Sequence, residues 1–171
     1  MQLCYRSRQW WRSLGAELPA PDRAFVQAHL SQLQRTLFAA MLPRDQVHAF
    51  AVYRAILRDH PDIAANPDIA VAALLHDAGK VGTQLWHRVA YVLLQDFAPG
   101  VLRRLGPVIP HDVRYPFYAL REHAGLGAAL ARAAGCNDRV VTAIAQHHNP
   151  AAAQGSDDVL VRALQAADAR E

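Results

Sequence analysis

Lysine is almost missing from this chain: of its 18 basic residues, all but Lys80 are arginine. Cysteine is nearly as scarce. Cys4 and Cys136 lie far apart and outside any C-x-x-C, which excludes a disulfide framework and a cysteine metal site and fits a reducing cytoplasm. No apolar run reaches the roughly 18 residues that a membrane-spanning helix needs. Charged residues make up only 19%, which is not the composition of a disordered chain. The net charge is +3 and the isoelectric point near 9.2, with no dense Lys/Arg cluster to track a phosphate backbone, so nucleic acid is not the expected partner. Strands are missing too, because Val159-Leu160-Val161 is short and sits inside a helical pattern. No G-x-S-x-G and no nucleophilic cysteine context is present.

The 171 residues are 52% hydrophobic, enough for one well-filled core. Apolar residues recur at helical spacing nearly throughout, so the expected fold is all-α: a single compact helical bundle. Asp22 to Met41 reads as one helix and Arg44 to Arg58 as a second, with Arg44 and His48 one turn apart on one face. Residues 1–43 are expected to form a helical extension packed on a domain spanning 44–171. Further helices are expected from Pro67 to Ala78, Leu85 to Phe97, Val101 to Leu105, Phe117 to Ala134, Asp138 to His147, and from a Ser156-Asp157-Asp158 start through Asp168. The stretch around 81–116 reads either as a helical hairpin covering the core or as a lid over a site. His87 and His111 within it are expected on the surface. Met1 to Arg12 carries charge but no apolar stretch and does not read as a secretory signal. Its Arg6, Arg8, Trp10, Trp11 and Arg12 fit tryptophans packed on the core or a contact with a membrane surface.

One stretch stands apart. Ala72-Ala73-Leu74-Leu75 is an apolar run that delivers His76 and Asp77 side by side, followed by Gly79 and the single Lys80. Asn66-Pro67-Asp68 opens that helix with a cap, a proline at the first position and an acid in the first turn, and Gly79 is where it should stop. Taken alone, the pair is also what a cap or a salt bridge looks like. His48 upstream and His123, His147-His148 and Asp168 downstream change this, since each falls on or beside an expected helix.

The ordered set His, His-Asp, His, His-His, Asp resembles the HD-domain superfamily of metal-dependent phosphohydrolases. Leu74-Leu75-His76-Asp77-Ala78-Gly79-Lys80 is similar to that family's His-Asp-x-Gly-Lys segment, and His123-Ala-Gly-Leu-Gly127-Ala128 to the His-x-x-x-Gly-Ala segment of its two-metal branches. The resemblance covers roughly residues 44 to 170. It implies one or two divalent transition-metal ions, Fe or Mn first and Co, Ni or Zn as alternatives, in keeping with imidazole and carboxylate ligands. It further implies that His48, His76, Asp77 and Asp168 hold one ion, and that Asp77 bridges to a second held by His123 with His147, His148 or both. Metal-bound hydroxide would then attack phosphorus, with Asp77 and Lys80 as catalytic residues, Lys80 neutralising a phosphate oxygen.

The implied substrate is a small nucleotide-like phosphoester or phosphoanhydride. His147-His148 is followed by Asn149-Pro150 rather than by the Glu and Gly-Tyr-Pro of the branch that hydrolyses cyclic dinucleotides, which argues against cyclic-di-GMP. Arg44, Arg88 and Arg114 are candidates for substrate contact. A metal- and nucleotide-binding sensor that lacks catalysis is the alternative.

Overall fold

The computed structural model describes residues 17–104, 108–149 and 158–171. Nine α-helices account for most of them: α1 (Ala20–His29), α2 (Gln32–Ala39), α3 (Pro43–Asp59), α4 (Pro67–Leu75), α5 (Leu85–Phe97), α6 (Pro99–Arg103), α7 (Tyr115–Ala133), α8 (Asp138–Gln146) and α9 (Val159–Asp168). Short 3₁₀ turns follow α3 at Pro61–Ile63 and α4 at Ala78–Lys80, and no strand occurs among the described residues. The all-α expectation holds.

Helix α4 is the axis of the bundle. Its sequence PDIAVAALL is apolar on every side, and Ile69, Ala72, Ala73, Leu74 and Leu75 are at most 1% exposed. A helix with no polar face has to be enclosed; α1, α2, α3, α8 and α9 all pack against it. Asn66 starts it as expected, its side chain accepting from Asp68 N–H at 3.0 Å. Within the same core, the aromatic side chains Phe25, Phe38, Phe50 and Tyr53 tie α1 and α2 to α3.

Several boundaries differ from the sequence reading. The helix expected over 22–41 is two helices, because Ser31 opens a new one: its hydroxyl caps Gln34 N–H while the Gln34 side chain accepts from Ser31 N–H. The α-helix bearing His76 ends at Leu75, so His76 and Asp77 occupy the turn beyond it. Pro99 places the start of α6 earlier than Val101. Asp158 caps α9, accepting from Leu160 N–H at 2.8 Å; Ser156 and the Trp/Arg stretch of residues 6–12 lie outside the described residues. His87 is not on the surface. It is 8% exposed, packed between Trp86 and Phe117, and its Nδ1 accepts from Gln84 N–H to close the first turn of α5.

The hairpin α5–α6 packs on α7 but hardly fills a core. Trp86, Val89, Val92, Leu93 and Phe97 are all exposed, so the apolar stripe of α5 faces outward rather than covering the interior. Among the described residues no helix is long and apolar enough to cross a membrane.

Candidate metal centre

Helix ends and one close backbone contact assemble the site. The turn after α4 carries His76 and Asp77, and the end of α8 carries His147 and His148. His48 comes from α3, His123 from α7 and Asp168 from the last residue of α9. Gly79 lets α7 approach: a Cβ there would stand 2.0 Å from His123 O and 2.7 Å from Gly127 N. Gly127 is the reciprocal partner, since a Cβ on it would meet Gly79 N at 3.1 Å and His76 O at 3.3 Å. No ordinary side chain fits at Gly79, so two segments that look unrelated in sequence are a single contact in the fold.

All seven candidate ligands converge, in two groups. His48, His76 and Asp168 form one; Asp77, His123, His147 and His148 form the other, each offering a ligand atom within 4.8 Å of the rest of its group. His76 Nε2 lies 3.2 Å from Asp168 Oδ1 and 3.6 Å from Asp77 Oδ2, so the buried His-Asp pair links the two groups. His48 Nε2 is 3.0 Å from the same Asp168 oxygen. Across the other group, Asp77 Oδ1 faces His123 Nε2 at 3.7 Å and His147 Nε2 at 3.9 Å. His148 stands at the rim, about half exposed, with Nε2 3.8 Å from Asp168 Oδ2.

The backbone fixes which ring nitrogen faces inward. Nδ1 of His76, His123 and His147 each lies 2.6–2.9 Å from a carbonyl three residues earlier in its own helix, Ala73, Leu120 and Ile144. A carbonyl only accepts, so Nδ1 carries the hydrogen and a neutral ring presents a bare lone pair at Nε2. Those three Nε2 atoms and Asp77 Oδ1 are buried without a hydrogen-bond partner. Acceptors gathered around acceptors in a dry pocket repel one another unless something positive sits between them. Divalent cations fit this donor set, and the carbonyl-anchored rings are the outer support that metal-binding imidazoles need.

Electrostatics agree. Burial holds His147 down at about 3 and His123 at about 4, so both rings stay neutral and ligand-competent at ordinary pH. Burial also opposes charge on His76, but Asp77 and Asp168 outweigh it and raise that imidazole; proton and metal compete for its Nε2. Burial pushes the Asp77 and Asp168 carboxyls up. The surrounding imidazoles overrule it in both, with Lys80 added at Asp77, and hold them well below the usual carboxylate range.

An HD-domain family model matches residues 47–171, which span most of the chain and the whole ligand set. The chain belongs to the HD-domain family. No curated protein and no solved structure matches it. Members of the HD family are mostly metal-dependent hydrolases, and the His/Asp cluster of this HD domain suits divalent metal.

Two features of the HD site were not legible in the motifs. Gln165, one turn before Asp168, donates from Nε2 to Gln146 O at 2.6 Å and Asn149 O at 2.9 Å, pinning the turn that bears His147 and His148. Its polar side chain at helical spacing from a ligand was the available signal. Asp45 grips Arg88 through two 2.6 Å hydrogen bonds, and Thr83 Oγ1 receives the same guanidinium, which fastens α5 to the start of α3. Arg88 is thus engaged, and Arg114 is paired with Asp112 on the surface. Arg44 is half-buried beside the site, with Asp45 at 4.0 Å and the charges of Arg88 and Asp77 acting on it. Lys80 Nζ lies 2.7 Å from Asp77 Oδ2.

Proposed function

We propose that this HD protein is a phosphohydrolase that cleaves a phosphoester or phosphoanhydride bond of a small nucleotide-like substrate. The observation that carries this reading is a set of buried polar atoms without hydrogen-bond partners: Nε2 of His76, His123 and His147 around Asp77 Oδ1. We assign His48, His76 and Asp168 to one ion and His123, His147 and His148 to a second, with Asp77 shared between them. Iron or manganese suits such mixed imidazole–carboxylate donors, with cobalt, nickel and zinc as alternatives. Divalent ions bound there supply Lewis acidity toward phosphoryl oxygens and a water more acidic than bulk.

The protein's own groups do the rest. Asp77 stays ionised and would be the carboxylate that both ions share, and the Asp168 carboxylate is shared by His48 and His76. Lys80, held at Asp77, places a compact ammonium where a non-bridging phosphate oxygen needs a counter-charge. Arg44 anchors a remote phosphate. Burial and the charge of Arg88 both lower its guanidinium pKa, and Asp45, already bidentate with Arg88, does not satisfy its donors. An anionic substrate does. His148 stands at the opening and meets the substrate as it enters. Residues 1–43 are assigned as an extension on the catalytic domain of 44–171, and the cytoplasm is the proposed compartment.

The test is anion-exchange analysis of nucleotides and dinucleoside polyphosphates incubated with Mn²⁺- or Fe²⁺-loaded protein. Turnover supports the assignment. Nucleotide binding without turnover, with metal confirmed by elemental analysis, selects the sensor alternative. Arg44→Ala is expected to lower kcat/KM by roughly 10- to 100-fold, mainly through KM, with metal content unchanged.

A further inference from the structure

The outward face of α5 plays no part in the metal centre. Trp86, Val89, Leu93 and Phe97 follow one another at helical spacing along this 13-residue helix, with Val92 at their flank. Phe97 is 83% exposed, Trp86 57% and Leu93 52%, which is costly to leave in water. The five side chains offer roughly 500 Å² of apolar surface, near the upper end of what a monomer leaves open. Doubled across a two-fold axis, that gives about 1,000 Å², the lower bound of a specific interface.

The face also has the shape a two-fold contact needs. Near its N-terminal end is a shallow hollow, open to solvent and lined by Gln84, Leu85, Trp86, Val89, Ala90 and Leu93; at its C-terminal end Phe97 projects freely. Knob and hollow at opposite ends of one helix are self-complementary when two copies run antiparallel. Within α5 the single formal cation, Arg88, is held by Asp45 on the other side of the helix, while the exposed Arg103 and Arg104 follow Phe97 at the end of α6.

We propose that the occupant of this face is a second copy of the chain: two α5 helices pack antiparallel about a two-fold axis near Leu93, each Phe97 filling the hollow at Trp86 and Val89 of the other. Because α5 is fastened to α3 through Arg88 and Asp45, one turn from His48, the dimer contact braces the wall of the metal centre from behind.

Sedimentation equilibrium of the full chain near 100 µM, in the range of a modest interface, is expected to give twice the 18.8 kDa chain mass. Phe97→Asp is expected to weaken dimerisation at least about 30-fold, leaving helicity and metal content unchanged because Phe97 touches little in its own chain. In a Cys4→Ser, Cys136→Ser background, Leu93→Cys is expected to form a disulfide-linked dimer under mild oxidation, and to lose it when Phe97→Asp is added. A wild-type monomer at that concentration overturns the proposal, as does a dimer that ignores Phe97→Asp or fails to cross-link at position 93. A monomer that instead binds phosphatidylcholine/phosphatidylglycerol vesicles in a Phe97-dependent way overturns it in favour of a membrane.

Discussion

Helices α4 and α5 are both apolar, yet the bundle treats them in opposite ways. Helix α4 is enclosed by five neighbours and ends in the His-Asp turn; α5 rests on α7 and turns its apolar stripe outward. The difference lies in what each has on its other faces. Helix α4 has nothing polar to show to water except its first turn, so burial is its only stable placement. Helix α5 carries His87 and Arg88 on the side that meets the protein, and these two hold it: His87 by packing and capping, Arg88 by its two hydrogen bonds to Asp45. Polar anchors face in and apolar side chains face out. Such an inversion marks a surface meant for contact.

Four substitutions and one condition break or sharpen this contrast. Asp77→Ala removes the carboxylate common to both ligand groups, so metal content of both positions and any turnover are expected to fall together, with activity down at least about 1,000-fold; elemental analysis alongside the assay checks both. Gly79→Ala comes next. Its Cβ would collide with His123 O, so α7 has to move and His123 with it, at an expected cost of about 3 kcal/mol in stability, read as a lower thermal midpoint.

Acid is the third. In metal-free protein His123 titrates near 4 and His147 near 3, against about 6.5 when unfolded. Between these limits the unfolded chain binds more protons, so stability falls as pH drops from about 6.5 toward 4. His76 has the opposite sign: its raised pKa gives stability that is complete below the unfolded value and lost at higher pH. A drop on the order of 4 kcal/mol between pH 6.5 and 4.5, about 2 from each of His123 and His147, is expected from denaturant titrations. The last comparison sets the two helices side by side, and its Leu93→Ala arm is the smallest effect of all. Leu74→Ala in α4 is expected to cost about 3 kcal/mol, whereas Leu93→Ala, measured in dilute monomer, stays within about 0.5 kcal/mol.

The ligand order was legible in the sequence because each ligand is a distinctive residue at a helix end or one turn from a neighbour. His48, His76, Asp77, His123, His147, His148 and Asp168 were all named from spacing and resemblance, and the structure brings all seven together. What escaped depends on direction. Helical periodicity says that α5 has an apolar stripe but not which side of it meets the bundle. His87 reads as a surface histidine until Phe117, from α7, covers it. Ser31 followed by Gln34 was visible as a capping pair, yet the apolar repeat running through it masked the break. Gly79 read as a helix stop; its actual use, a seat for α7, needs knowledge of a segment more than forty residues away.

The backbone carbonyls behind His76, His123 and His147 have one more effect. They decide the tautomer before any ion arrives, so His123 and His147 need no rearrangement of hydrogens to coordinate. Only His76, whose nearby carboxylates favour its cationic form, has a hydrogen to give up. Loading the centre therefore exchanges a metal ion for little more than one released proton from these rings, and a chain with the same histidines but frayed helix ends would lose that readiness.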